Sequence, residues 1–96
     1  MANKTAIVTG AGRGIGEATA RLLASKGYRV ALVSRTAADL DRLAAELPGS
    51  IAVPADVARP EQVERVVGTT LEKLGRIDAL VNNAGYAPAE PVGRMS

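Results

Sequence analysis

The sequence contains no cysteine and no histidine among its 96 residues. The first absence excludes disulfides, thiolate metal sites and a cysteine nucleophile. The second removes the commonest metal ligand and the commonest general base. Tryptophan and phenylalanine are also missing, and tyrosine occurs only as Tyr28 and Tyr86. Acid–base chemistry on this chain is therefore restricted to Tyr, Lys, Ser, Asp or Glu. Long hydrophobic runs are lacking as well. The apolar stretch near the N-terminus, Ala6 to Val8, is too short for a signal-peptide core or a membrane span, so a cytoplasmic protein is expected. Charge of one sign is not concentrated anywhere: 12 basic and 10 acidic residues are mixed along the chain for a net charge of +2. Neither nucleic acid nor a membrane is expected as a partner.

What remains is the composition of one small globular unit, 47% hydrophobic and 23% charged, too apolar for a disordered tail. Thr5 to Thr9 (TAIVT) is a short β-branched run that ends in glycines and predicts a buried strand. Gly14 to Lys26 has helical spacing, with Ile15, Ala18, Leu22 and Leu23 on one face, and Gly27 stops it. Arg29 to Ser34 (RVALVS) predicts a second strand. Ala37, Leu40, Leu43, Ala44 and Leu47 predict a second helix, ended by Pro48-Gly49. Ser50 to Pro54 predicts a third strand. Pro60 suits the first turn of a third helix, where its missing N–H costs nothing. Val63, Val66, Val67, Thr70, Leu71 and Leu74 then recur at i, i+3, i+4 and i+7 up to Gly75. Ile77 to Val81 predicts a fourth strand. The order β-α-β-α-β-α-β implies an α/β fold of three layers: a parallel sheet with right-handed crossovers and helices on both faces. Residues 86–96, with Pro88, Pro91 and Gly93, read as loop.

The first strand feeds straight into Thr9-Gly10-Ala11-Gly12-Arg13-Gly14-Ile15-Gly16, which opens a helix. Glycines let the backbone approach a bulky ligand, and a helix N-terminus presents free N–H groups and partial positive charge. The combination suits a pyrophosphate. A G-x-G-x-x-G reading from Gly10 fails, because its last position is Ile15. Thr-Gly-x-x-x-Gly-x-Gly fits, through Thr9, Gly10, Gly14 and Gly16. A phosphate-loop reading fails for want of Gly-Lys-Ser/Thr.

This turn resembles that of the classical short-chain dehydrogenase/reductase family. Asp56-Val57 after the third strand and Asn82-Asn83-Ala84-Gly85 after the fourth match two further motifs of that family, in order, so the resemblance runs from about Lys4 to Gly85. It implies a Rossmann-type half with strand order 3-2-1-4, residues 1–85 forming the NAD(P)-binding portion. It also implies roles. Gly10, Arg13, Gly14, Ile15 and Gly16, with Thr9, would surround the pyrophosphate and adenosine ribose. Asp56 and Val57 would contact adenine, the carboxylate accepting from the amino group. Asn83, Ala84 and Gly85 would line the cofactor groove. By themselves Asp56 also fits a helix-entry residue near Pro60, and the asparagines a strand-end turn.

Enzymes preferring NAD usually carry a carboxylate at the end of the second strand, to bond the ribose 2′-OH. Here that strand ends Val33-Ser34-Arg35, and Asp39 and Asp41 fall inside the next helical pattern. Arg35 suits a 2′-phosphate, Ser34 a hydrogen bond to it, and Arg13 an approach from the other side. The expectation is NADP(H) over NAD(H).

The family's chemistry, hydride transfer between nicotinamide and an alcohol or carbonyl, uses Tyr-x-x-x-Lys and a serine. Four residues after Tyr28 stands Leu32, and four after Tyr86 stands Glu90. None of Ser25, Ser34, Ser50 and Ser96 lies in the catalytic context. No catalytic residue and no metal ligand is assigned. The expectation is a cofactor-binding part, inactive alone, of an oxidoreductase that in its intact form takes a small carbonyl or alcohol substrate and, like its family, usually forms homo-oligomers. The C-terminus reads as truncated, with an open strand edge and an uncovered sheet face. The alternatives are a stand-alone nucleotide-binding or interaction module completed by another chain, and a methyltransferase-like fold, which the Asn-Asn-Ala-Gly match opposes.

Overall fold

A computed structural model describes residues 4–12 and 14–83. In chain order the elements are β1 (Thr5–Thr9), α1 (Gly14–Ser25), β2 (Arg29–Ser34), α2 (Ala37–Glu46), β3 (Ile51–Pro54), α3 (Pro60–Leu74) and β4 (Ala79–Asn82). All strand pairs are parallel, in the order β3-β2-β1-β4. The chain winds from β1 outward to β3, then crosses back over the sheet to β4. Right-handed crossovers therefore place α1 and α2 on one face and α3 on the other.

Each strand alternates its side chains between two cores. Val8, Val30 and Leu32 join Ala20, Leu40, Leu43 and Leu47 on the α1/α2 face. Ile7, Ala31, Val33 and Val53 join Val66 and Leu74 on the α3 face. Burial on both faces is why β1 and β2 read as continuous apolar runs rather than as alternating ones.

The helix ends follow local chemistry. Past α1, Gly27 takes φ +94, its N–H donating to Ala24 O (3.1 Å) and that of Tyr28 to Leu23 O (3.1 Å). This is the Schellman pattern, and both Leu23 and Tyr28 pack on the first core. Pro60 opens α3, and Gly75 (φ +86) closes it by donating to Leu71 O. Strand β4 begins two residues later than expected, at Ala79. Asp78 forms the rung before it: its N–H donates to Thr5 O (2.8 Å), while its Oδ2 accepts from Thr5 N (2.8 Å).

Two expected core faces differ. On α1, Ile15 is 78% and Leu22 56% exposed, and the buried residues are Gly16 and Ala20. Gly16 lies against the turn at Gly10 and Ala11, and Ala20 packs into the core over β1 and β2, so the contact face is the glycine-alanine stripe, not the bulkier Ile15-Ala18-Leu22 stripe. On α3 only Val66, Thr70 and Leu74 are buried, while Val63, Val67 and Leu71 stand exposed, as does Leu80 of β4. The helix lies over β2 and β3, and the half of its apolar stripe that turns away from them is left uncovered among the described residues.

Candidate nucleotide-binding cleft

The carboxyl ends of β1, β2 and β3 open on a cleft of about 650 Å³. Gly10 and Gly12 line it from the first turn, Val33 to Thr36 from the end of β2, and Ala55 to Ala58 from the loop after β3. Backbone bonds lace these ends together: Ala11 N donates to Val33 O (3.0 Å), and Ala55 N to Ser34 O (2.9 Å).

The glycine turn shows why its residues lack side chains. Gly10 and Gly14 take φ +65 and +63, the left-handed region. A Cβ on Gly16 would stand 1.9 Å from Gly10 O, so no other residue lets α1 start so close under the turn. A Cβ on Gly12 would meet Asp39 Cβ at 3.0 Å, Asp39 Oδ2 at 3.3 Å and Ser34 Oγ at 3.4 Å. A Cβ on Gly14 would stand in open space, and Ile15 beside it is exposed. A bare backbone at a helix start, open on its outer side, fits a pyrophosphate.

Along the β2 side, Ser34 Oγ accepts from Thr36 N (3.1 Å), which leaves its own proton for a ligand. Arg35 is exposed and makes no ion pair among the described residues. The second turn of α2 reaches the glycine turn through Arg42. Arg42 Nη2 donates to Gly12 O (3.5 Å) and approaches Glu17 Oε1 (3.5 Å). Glu17 also accepts from Arg21, which reaches Glu46 at 2.5 Å. The two guanidinium groups, Arg21 before Arg42, hold the Glu17 carboxyl below its ordinary range.

Asp56 is fixed at three points. Its N–H donates to Gln62 Oε1 (2.7 Å), its C=O accepts from Arg59 N (3.1 Å), and its Oδ1 accepts from Ala58 N (3.0 Å). It does not cap α3, whose N-cap position is Arg59 without a side-chain cap. Val57 beside it packs on the second core and lines the cleft.

Thr9 and the asparagines take a different place. Thr9 is 5% exposed, and its hydroxyl contacts Asn82 Oδ1 (2.9 Å) and accepts from Asn83 N (2.8 Å). This knot seals β1 to β4 rather than lining the cleft. Asn83 Nδ2 is buried with no partner among the described residues. Arg13, Ala84 and Gly85, and Tyr86, lie outside the described residues.

The structure therefore brings Gly10, Ser34, Arg35, Asp56 and Val57 together on one cleft, while Gly14, Ile15 and Gly16 open α1 and are not among its lining residues. Gly12, Thr36 and Ala58 line it without having been singled out from the sequence. Gly12 had a signal, as the middle glycine of the turn. The role of Gln62 had none, since it depends on a bond from the first turn of α3 back to Asp56 across the loop before it. Among the described residues no group of acidic side chains is arranged to hold a metal, and no helix is long and apolar enough to cross a membrane.

Comparison with known proteins agrees with this geometry. The family described as short chain dehydrogenase matches residues 4–96. Human L-xylulose reductase is 45% identical over 91 residues, covering 95% of this chain and 36% of that protein. The L-sorbose reductase of Gluconobacter frateurii, complexed with NADPH and L-sorbose, superposes with a TM-score of 0.84 at 36% identity, over 97% of this chain and 37% of that one. The 3-ketoacyl-(acyl-carrier-protein) reductase of Brucella melitensis, complexed with NADH, gives 0.78 at 38% identity, over 80% and 32%. The chain thus spans about a third of the length of these proteins. On its fold, its cleft and these matches, the chain belongs to the short-chain dehydrogenase family.

Proposed function

We propose that this chain is the dinucleotide-binding N-terminal part of an NADP(H)-dependent oxidoreductase. In the intact protein, hydride passes between the nicotinamide and a small carbonyl or alcohol. The chain by itself binds cofactor and does not turn over. The observation that carries the cofactor choice is the end of β2. It delivers Ser34 and Arg35, with no carboxylate, onto a cleft shared with the glycine turn and Asp56. A guanidinium fork matches a phosphate bidentately, and the Ser34 hydroxyl supplies a donor beside it. Arg13 completes this reading from the turn. Of the neighbours above, one is complexed with NADPH and another with NADH, so both cofactors occur on this framework.

Residues 1–85 form the binding portion in this reading. Gly10, Gly14, Ile15 and Gly16 sit against the pyrophosphate, and Asp56 and Val57 against adenine. Thr9 acts by holding β4 in place, and Asn83, Ala84 and Gly85 border the groove. The intact protein is cytoplasmic and assembles with copies of itself.

The test is a melting-temperature comparison. A ligand that binds only the folded state stabilises it by about 2.7 kcal/mol at 100 times its Kd. NADPH is expected to raise the melting temperature more than NADH at equal concentration, and R35A to abolish the difference. A larger shift with NADH overturns the assignment of Arg35. NADPH oxidation by the isolated 96 residues with a panel of ketones is expected to be undetectable.

A further inference from the structure

We propose that Gln62 is a positioning residue for base recognition: from the first turn of α3 it holds Asp56 in the orientation that accepts from the adenine amino group. The inference rests on the adenine reading of Asp56 given above.

Gln62 is the third residue of α3, after Pro60 and Glu61. An amide or carboxylate at this point of a helix ordinarily turns back to the N–H of the N-cap. Here the N-cap is Arg59, and its N–H is already taken by Asp56 O at 3.1 Å. Gln62 reaches past it and accepts from Asp56 N at 2.7 Å. Helix and loop so close a ring: Asp56 O binds the helix start, and Asp56 N binds the helix side chain. The carboxylate at its centre is held by Ala58 N on Oδ1 (3.0 Å), while Oδ2 lies 4.0 Å from Arg59 Nε. Asp56 faces the cleft from this ring. The Asp56 N–H is part-buried, and a donor so placed without a partner forces the backbone to move toward water. Removing the Gln62 acceptor therefore re-aims the carboxylate without touching the nucleotide.

The experiment compares binding of NADPH with that of its hypoxanthine analogue, in which a carbonyl replaces the amino donor. It uses the full-length protein carrying this chain and calorimetric titration. The parent is expected to prefer adenine by about tenfold, the scale of one hydrogen bond to a charged acceptor. Q62M keeps the length of the side chain and loses the acceptor. Q62N keeps the amide one methylene short of its partner. Both are expected to shrink the preference to about twofold, while Q62E, which retains an oxygen at the same reach, restores it. If Q62M fails to fold, the solvated amide of Q62N decides. Equal weakening of both nucleotides, with the parent's preference intact, overturns the role of Gln62 and leaves Asp56 as the adenine contact. A parent indifferent to the base overturns the Asp56 reading itself, and this inference with it.

Discussion

At the residue scale, the glycines of the first turn are not equivalent. Gly16 is needed because its Cβ would collide with Gly10 O at 1.9 Å, a backbone atom that cannot swing aside. A Cβ on Gly12 would meet Asp39 Cβ at 3.0 Å, a looser contact that asks its neighbour to shift by only a few tenths of an ångström. Overpacking a tight contact costs about 1–3 kcal/mol. G16A is therefore expected to reach the upper end of that range or exceed it and to abolish nucleotide binding, and G12A to cost less. Urea denaturation of the two variants checks the order, and equal costs would contradict it. Leu32 is fully buried at the centre of β2. L32A is expected to cost about 2–5 kcal/mol by the same measurement.

At the scale of elements, the sheet is closed at both ends by side chains rather than by backbone alone. Thr9 ties the outlet of β1 to β4, and Asp78 ties its start. The Asp78 carboxyl lies below its ordinary range, first because Arg76 bonds both of its oxygens and next because Thr5 N donates to it. An unfolded aspartate titrates near about 3.9. Its charged form is thus favoured by folding, so the stabilisation is complete above that value and is lost as pH falls through the lower, folded one. D78N is expected to melt below the parent at neutral pH, with the gap narrowing as the pH drops below about 4. A gap constant across that range would show that the charge of Asp78 does not matter. The same strand end explains why β4 starts at Ala79. Asp78 spends both its backbone and its side chain on the first rung, a role that the apolar pattern of Ile77 to Val81 does not reveal.

At the scale of the molecule, the described residues expose a set of large apolar side chains that a small domain would ordinarily cover: Ile15 and Leu22 of α1, Val63, Val67 and Leu71 of α3, and Leu80 of β4. They are spread over both faces of the sheet, α1 on one and α3 on the other, and exposed apolar surface of this kind favours association. The 96-residue segment in isolation is expected to self-associate in a concentration-dependent manner by sedimentation. The double variant L71K/L80K is expected to reduce that association while leaving the melting temperature near that of the parent. A parent segment monomeric at every concentration would contradict the prediction. Element order and parallel pairing were legible beforehand in the alternating β and α patterns with right-handed crossovers, whereas the strand order, and with it a cleft at the carboxyl ends of the strands, came from the family resemblance.

The residues at the strand ends could be placed from the chain alone: the glycines of the turn, Ser34-Arg35 with no acid adjacent in sequence, and Asp56-Val57. Each follows from local rules of backbone freedom, charge and strand termination. Which of two apolar stripes α1 turns inward was decided only in three dimensions, since periodicity marks a face while the close approach of Gly16 to the glycine turn and the burial of Ala20 against the sheet select it. The bonds of Thr9 to Asn82 and Asn83, and of Asp78 to Thr5, cross more than 70 residues of sequence. Contacts of that span leave no trace in any local pattern, because they exist only once the sheet has brought β1 and β4 side by side.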